Sequence, residues 1–319
     1  MIAALLLTAL PALTQLHTGA PALGNGAGVS KFTFFVAGDN RPDKGDGPAD
    51  GFTAVVTEMQ MASPQPLFVL WGGDTIKGKS SSDAKKQYPI ALKVFAKLNV
   101  PVFNTPGNHE LNQKGSGDCN DAPDPSGKLL DAYTTLMGPP FGVLTFGNSA
   151  FVSVNTDDSL GNINPPKGCY NGFVSKSQRE QLAAMLAQLQ SDHSIQHIFL
   201  FMHRPVRDDN HHQMKPDKQD KDTKYATRVN EFLDTIKALK NPKVAYVFAS
   251  HDHRYFEATP GGSGTTGFIV TGGAGAPLSG CPDKPRSGAY YHYLRVDVDG
   301  ANVKVTVVPI NGTTPCGAP

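Results

Sequence analysis

Seven short apolar runs, at 31–37, 67–71, 101–104, 149–155, 197–202, 244–249 and 267–271, punctuate the chain, and five of them stop at Asp, Asn or His. Runs of this length, bounded by Gly, Pro, Asn and Asp, read as buried strands. Helical patterns lie between several of them: "GFTAVVTEMQMA" after the first, "AKKQYPIALKVFAKLN" after the second with Pro89 near its start, and "YATRVNEFLDTIKALK" before 244–249. "SQREQLAAMLAQLQ" carries Ser177 and Glu180 in capping-box spacing. This alternation predicts an α/β fold. Near the C-terminus, "AYYHYLRVDVDG" and "ANVKVTVVPI" alternate around Asp299-Gly300, a hairpin signal, so the sheets are expected to be mixed. No internal repeat and no linker divides residues 30–312, which read as one domain followed by a tail at 313–319.

The strand ends carry the chemistry. The first strand stops at Asp39 in "VAGDNRP", the second at Asp74 in "WGGDT", and the third at Asn108-His109-Glu110 in "TPGNHE". Strand 197–202 stops at His203, and strand 244–249 at His251 and His253 in "SHDHRY". Each alone has an ordinary explanation as a turn residue, a helix cap or a packed histidine. Together they occupy equivalent positions, at the edge of an open α/β sheet where ligands bind. Asp, His and an Asn carbonyl are hard-to-borderline ligands that suit divalent or trivalent Zn, Mn or Fe. They are too many for one ion with an open position, and fit two metals sharing a carboxylate. Such a pair, about 3.5–4 Å apart, activates water and clamps an in-line phosphoryl displacement.

In their order along the chain, Asp39-Asn40-Arg41, Gly73-Asp74, Gly107-Asn108-His109-Glu110, His203 and Ser250-His251-Asp252-His253 resemble the motifs of the calcineurin-like metallophosphoesterases, over residues 32 to 275. The resemblance implies a four-layer α/β/β/α sandwich of two mixed sheets flanked by helices. It implies one metal on Asp39, Asp74 and His253, and a second on the bridging Asp74, Asn108, His203 and His251. It implies a catalytic His109 that protonates the leaving group, with Glu110 orienting its ring, and a Gly272-Gly273 segment passing close to the site. The activity it implies is hydrolysis of a small-molecule phosphoester by a metal-activated water.

The first motif departs from the family, which has a ligating His where this chain has Arg41. A guanidinium has no acceptor and cannot ligate a cation. The first metal therefore keeps three protein ligands and the second four, so two unequal sites are expected, the first weak or empty. A guanidinium can instead fork onto phosphate, or simply pair with Asp43 or Asp46. Ser250 replaces the family glycine, with little expected effect. Related purple acid phosphatases have a Tyr ligand where this chain has Lys77, which argues against a purple ferric site. Lys77 and Lys79 are phosphate candidates, or merely solvated.

Diester hydrolysis requires less charge neutralisation than monoester hydrolysis, so a weakened first site tilts the expected substrate toward diesters. The polar segment 206–224, with His211 and His212, is the expected source of substrate contacts beside Arg41 and Asn108. The alternative reading is a degenerate, non-catalytic member that binds a phosphorylated ligand or a metal. A nuclease gains no support from a formal net charge of +1, which gives no nucleic-acid footprint.

The opening "MIAALLLTALPALTQL" is too short to span a bilayer and is followed by Ala20-Pro21-Ala22, so residues 1–22 are expected to be a signal peptide of a periplasmic or secreted protein without a transmembrane anchor. Four cysteines in an exported chain point to two disulfides, with Cys119–Cys169 and Cys281–Cys316 the pairs nearest in sequence.

Overall fold

A computed structural model describes residues 10–115, 121–158, 172–207, 214, 229–239, 242–262, 264–279 and 287–310. The elements in chain order are β1 (Lys31–Ala37), α1 (Asp50–Met61), β2 (Val69–Trp71), α2 (Ser81–Phe95), β3 (Val102–Asn104), the helical turn α3 (Asn108–Leu111), β4 (Asn112–Lys114), β5 (Asp121–Pro123), α4 (Lys128–Met137), β6 (Gly142–Phe146), β7 (Ser149–Val154), α5 (Lys176–Ser191), β8 (His197–Met202), α6 (Val229–Lys237), β9 (Val244–Ala249), β10 (Tyr255–Thr259), β11 (Gly267–Thr271), β12 (Ser287–Gly288), β13 (His292–Asp299) and β14 (Asn302–Pro309).

Two mixed sheets stack face to face. One has the order β14-β13-β1-β2-β3 and the other β12-β10-β11-β9-β8-β7-β6; β4 and β5 form a separate pair. In the first sheet, β1, β2 and β3 run parallel while β13 is antiparallel to β1. In the second, β7, β8, β9 and β11 run parallel. Helix α1 turns Phe52, Val55, Val56 and Met59 inward along one helical face, and these pack with Trp71, Tyr88, Phe95 and Tyr133 in one outer core layer. The second outer layer gathers Leu182, Leu186 and Leu189 of α5 and Phe232 and Ile236 of α6 against Ile198, Leu200 and Val247. Between the sheets lies an aromatic layer that includes Phe34, Phe68, Phe103, Phe151, Phe199 and Phe248. The Phe34 ring meets Phe151 edge-on at 5.0 Å, and Phe68 meets Phe151 at 4.9 Å. Each such buried ring stabilises the stack by roughly 2–3 kcal/mol. The outcome is helix, sheet, sheet, helix, as the motifs imply.

Local details depart from the sequence reading. Pro89 sits in the interior of α2, because that helix begins at Ser81. Its cap is Ser80, whose hydroxyl accepts from the Asp83 N–H at 3.1 Å. Helix α5 is capped by Ser175, which accepts from the Gln178 N–H at 3.2 Å, and Ser177 lies within the helix. The Asp299-Gly300 hairpin forms as expected, with Asp299 opposite Asn302.

The apolar opening is seated on the fold from Leu10 onward. The Leu13 N–H donates to Val143 O at 3.0 Å, the Leu16 N–H donates to Val102 O at 2.9 Å, and both leucine side chains are buried. No helix among the described residues is long and apolar enough to cross a membrane. All four cysteines lie outside the described residues.

Candidate metal centre

Parallel strands that end at one edge bring the polar strand ends together, and backbone hydrogen bonds staple the loops there. The N–H groups of Asn40 and Arg41 both donate to Asp74 O, at 3.2 and 2.9 Å, and the Asp39 N–H donates to Gly73 O at 3.0 Å. Asp39, Asp74 and His251 have φ values of 63°, 50° and 72°, in the left-handed region that non-glycine residues rarely occupy. Such strain persists where the surroundings enforce it, and it collects at functional sites. Close backbone approach is also required at Gly107, where a Cβ would lie 2.3 Å from Asp74 Oδ1, and at Gly272, where one would lie 2.7 Å from Asp39 Oδ2. The Gly272 segment thus passes against the site.

Two candidate ligand triads share Asp74. Asp39, Asp74 and His253 present ligand atoms all within 4.8 Å of one another, and so do Asp74, His203 and His251. In the first half, His253 Nδ1 donates to Pro277 O at 2.6 Å, which leaves Nε2 to face Asp39 Oδ1 at 3.5 Å. Burial, and after it the Arg41 charge, pulls the His253 pKa down to about 4, so its ring is neutral at pH 7. Burial and the Asp74 charge push the Asp39 carboxyl well above the usual carboxylate range. For Asp74 burial acts in the same sense, but the facing His203, His109 and Arg41 outweigh it and hold that carboxyl low.

In the second half, His203 Nδ1 donates to Gly72 O at 2.8 Å, which leaves the Nε2 lone pair facing inward. Around that nitrogen stand Asn108 Oδ1 at 2.9 Å, His251 Nδ1 at 3.1 Å and Asp74 Oδ1 at 3.3 Å. The His251 N–H donates to Asp39 Oδ2 at 2.6 Å, which ties the two halves together.

The residues fit a cation. Asp39 Oδ1 is buried without a hydrogen-bond partner, an arrangement that costs free energy unless a positive charge faces it. Asn108 Oδ1 and His203 Nε2 both carry lone pairs, yet they point at each other across 2.9 Å. Converging acceptors of this kind are metal-ligand geometry, with the outer histidine nitrogens held by carbonyls.

Arg41 occupies the first half and does not pair with Asp43 or Asp46. Its Nε lies 3.4 Å from Asp74 Oδ2 and is buried without a hydrogen-bond partner, while the side chain stays 19% exposed. The preceding residue sets this direction. Asn40 Oδ1 accepts from Trp71 Nε1 at 2.7 Å and its Nδ2 donates to Thr75 O at 3.1 Å, so the loop turns Arg41 toward Asp74.

His109 lies on the rim of the same half, with Nε2 3.9 Å from Asp74 Oδ2. Its ring is oriented by Lys77 O, which accepts from Nδ1 at 2.5 Å, and not by Glu110. Glu110 instead accepts from the N–H groups of Asp74, Thr75, Ile76 and Gly107 at 2.7–3.2 Å. It clamps two strand-end loops, because a carboxylate in the first turn of α3 points back toward exposed amides. Burial pulls the His109 pKa down to about 3, so the ring is neutral at pH 7.

The lysines are engaged elsewhere: Lys77 Nζ donates to Asp43 O at 2.6 Å, and Lys79 pairs with Asp121. Ser250 fits in place of glycine because its hydroxyl sits over Gly38 and Gly72. His211 and His212 lie outside the described residues.

Three residues behind the second half escape the sequence reading. Arg204 is buried, with Nε 2.9 and 3.1 Å from the Asp157 oxygens, Nη2 2.9 Å from Asp121 Oδ2 and Nη1 3.1 Å from His251 Nε2. Asp157 follows β7, so the strand-end rule that finds the ligands would also have marked it. Arg204 adjoins His203 but carries no signal of its own, and Asp121 sits in a polar segment beside Cys119 that reads as a loop.

The family model of the calcineurin-like phosphoesterases matches residues 32–255, and the chain belongs to that family. No curated protein matches it by sequence. Purple acid phosphatase PPD1 from yellow lupin (Lupinus luteus) seeds shares its fold with a TM-score of 0.62 at 14% identity, over 93% of this chain and 54% of that one. The chain thus spans about half the length of the lupin protein. GAP50, the anchor in the inner membrane complex of Plasmodium, aligns with a TM-score of 0.52 at 14% identity, over 90% of this chain and 87% of that one.

Proposed function

We propose that this protein hydrolyses a small-molecule phosphoester, with a diester favoured over a monoester. The observation that carries the reading is the pair of ligand triads sharing Asp74 at the strand ends. Asp39, Asp74 and His253 would hold one metal, and Asp74, Asn108, His203 and His251 the other. Metal ions held there supply the charge that activates water and neutralises phosphoryl oxygens.

The chain's own residues do the rest. The Arg41 guanidinium adds a fixed positive charge beside the weaker half, and its partly exposed side chain can donate to a phosphoryl oxygen. His109 faces the site with Nε2 while Lys77 O holds its other nitrogen. An anionic substrate favours the protonated ring, which then donates that proton to the departing alkoxide as the P–O ester bond breaks. The attacking water loses its proton to solvent. One cationic side chain that partly replaces the charge of a weakly held ion suits the smaller charge of a diester.

The test is turnover of an alkyl phosphate monoester and of the matching dialkyl diester, read by release of the alcohol, after loading with Mn, Zn or Fe. Diester turnover above monoester turnover, falling about 10²–10⁴-fold in His109→Ala with an alkyl leaving group, supports the reading. Equal residual rates in wild type and His109→Ala would overturn it. A second reading, a binding member without turnover, is favoured by Arg41 standing where the family has a ligand. GAP50, whose fold is shared, is described as an anchor.

Export is proposed on the apolar opening and Ala20-Pro21-Ala22. Because Leu13 and Leu16 are packed in the fold, N-terminal sequencing of the protein from the medium or periplasm tests it directly: a start near Ala22 supports cleavage, and a start at Met1 opposes it.

A further inference from the structure

We infer that Asp121 is a positioning residue of the second metal half, holding the Asn108 amide in the one orientation that can ligate. An amide is nearly symmetric in shape, yet only its oxygen is a ligand, so something must distinguish its two ends. His203 Nε2 cannot do so by donating, because Nδ1 carries the proton to Gly72 O. Asp121 does. Its two oxygens lie 3.2 and 3.1 Å from Asn108 Nδ2, which points Oδ1 at the site.

The carboxylate is itself held. Asp121 is 7% exposed, its Oδ2 accepts from Arg204 Nη2 at 2.9 Å, and its Oδ1 pairs with Lys79. Arg204 is fixed in turn by Asp157, which also accepts from Asn112 Nδ2 at 2.8 Å. Asn112 directly follows α3, the turn that begins with Asn108. The β4–β5 pair sets Lys114 opposite Asp121, and so returns the chain to that turn. Two cations, Lys79 and Arg204, and two carboxylates, Asp121 and Asp157, therefore form a charge-balanced network in which Asp121 reaches the site through the Asn108 amide, while Arg204 also touches His251.

The inference rests on the proposed metal binding, and titration of the wild-type chain with Co²⁺ tests that basis separately: no binding by wild type would remove the metal reading itself. With wild type binding, Asp121→Asn is expected to weaken Co²⁺ binding at the second half about 10–100-fold, read by calorimetry and by the visible Co²⁺ spectrum. In an Asn108→Ala background the same change is expected to add nothing, since the amide through which it acts is gone. Unchanged affinity in Asp121→Asn, or the same loss with and without Asn108, would overturn the inference. Thermal melting of the metal-free proteins identifies any variant that has not folded. An exchanged pair then serves as an independent test. Asn108→Asp keeps a ligating oxygen but sets a carboxylate against Asp121; adding Asp121→Asn gives that carboxylate an amide donor again. The double variant is expected to bind Co²⁺ at least about tenfold more tightly than Asn108→Asp alone. Equal or weaker binding by the double variant would overturn the inference as well.

Discussion

The two halves of the centre share Asp74 and differ in almost everything behind it. The second half is backed by a connected set of hydrogen bonds: Gly72 O holds His203, Asp121 holds Asn108, and Arg204 reaches both His251 and Asp121. The first half leaves Asp39 Oδ1 and Arg41 Nε buried and unsatisfied within one small space. Ligand count alone understates such a difference between two candidate metal sites. A site whose ligands are already oriented binds without further ordering cost. One that shares its space with a guanidinium must tolerate like charge.

The largest effect is expected where the halves meet. Asp74→Asn removes the shared carboxylate, and should empty the centre by elemental analysis and lower turnover roughly 10³-fold. Substitutions confined to one half sharpen the comparison. His203→Ala should weaken metal binding at least about a hundredfold and remove the tightly held ion. His253→Ala should leave that ion in place, with metal per chain close to wild type after dialysis. Equal losses in the two variants would break the proposed inequality.

A smaller effect concerns the support behind the first half. His292 is fully buried, donates from Nδ1 to Tyr290 O at 2.9 Å, and packs against Gly273, beside the Gly272 segment that touches Asp39. Burial lowers its pKa to about 4, below the unfolded value near 6.5. The stability it contributes is therefore intact above about pH 6.5 and declines as the pH falls toward 4, because the unfolded chain takes up the proton first. Between pH 7 and 5 that loss is about 2 kcal/mol. Urea unfolding of wild type and His292→Gln at both values should show the pH dependence reduced in the variant.

Arg41 gives the smallest effect and discriminates most finely. Arg41→Ala should raise KM about tenfold, and unchanged kcat/KM would exclude the phosphate contact. Arg41→His restores the family ligand and should move metal content from near one ion per chain toward two.

Much of this was legible in order along the chain. Strands β1, β2, β3, β8 and β9 announce themselves as apolar runs, and their polar terminators are local facts of sequence. Parallel strands bring the terminators of each sheet to one edge, and the stacking of the two sheets sets those edges side by side. The layered fold, the candidate ligand assignment and the departure at Arg41 come from the resemblance of those motifs to the phosphoesterase family. Helix starts were less legible, because Ser80 and Ser175 compete with nearby residues that could cap equally well.

What only the tertiary structure decided is which groups stand behind the ligands. Glu110 adjoins His109 in sequence, yet it gives its carboxylate largely to loop amides more than thirty positions away, and Lys77 O takes the ring instead. Arg41 turns from its neighbours Asp43 and Asp46 to Asp74 because Trp71 and Thr75 hold Asn40. Asp121 and Arg204 are 83 positions apart and meet only because β5 returns to α3 while β8 ends beside it. Ligand chemistry belongs to single residues and is written in their identity. Orientation belongs to pairs whose separation along the chain is arbitrary, and folding alone brings them together.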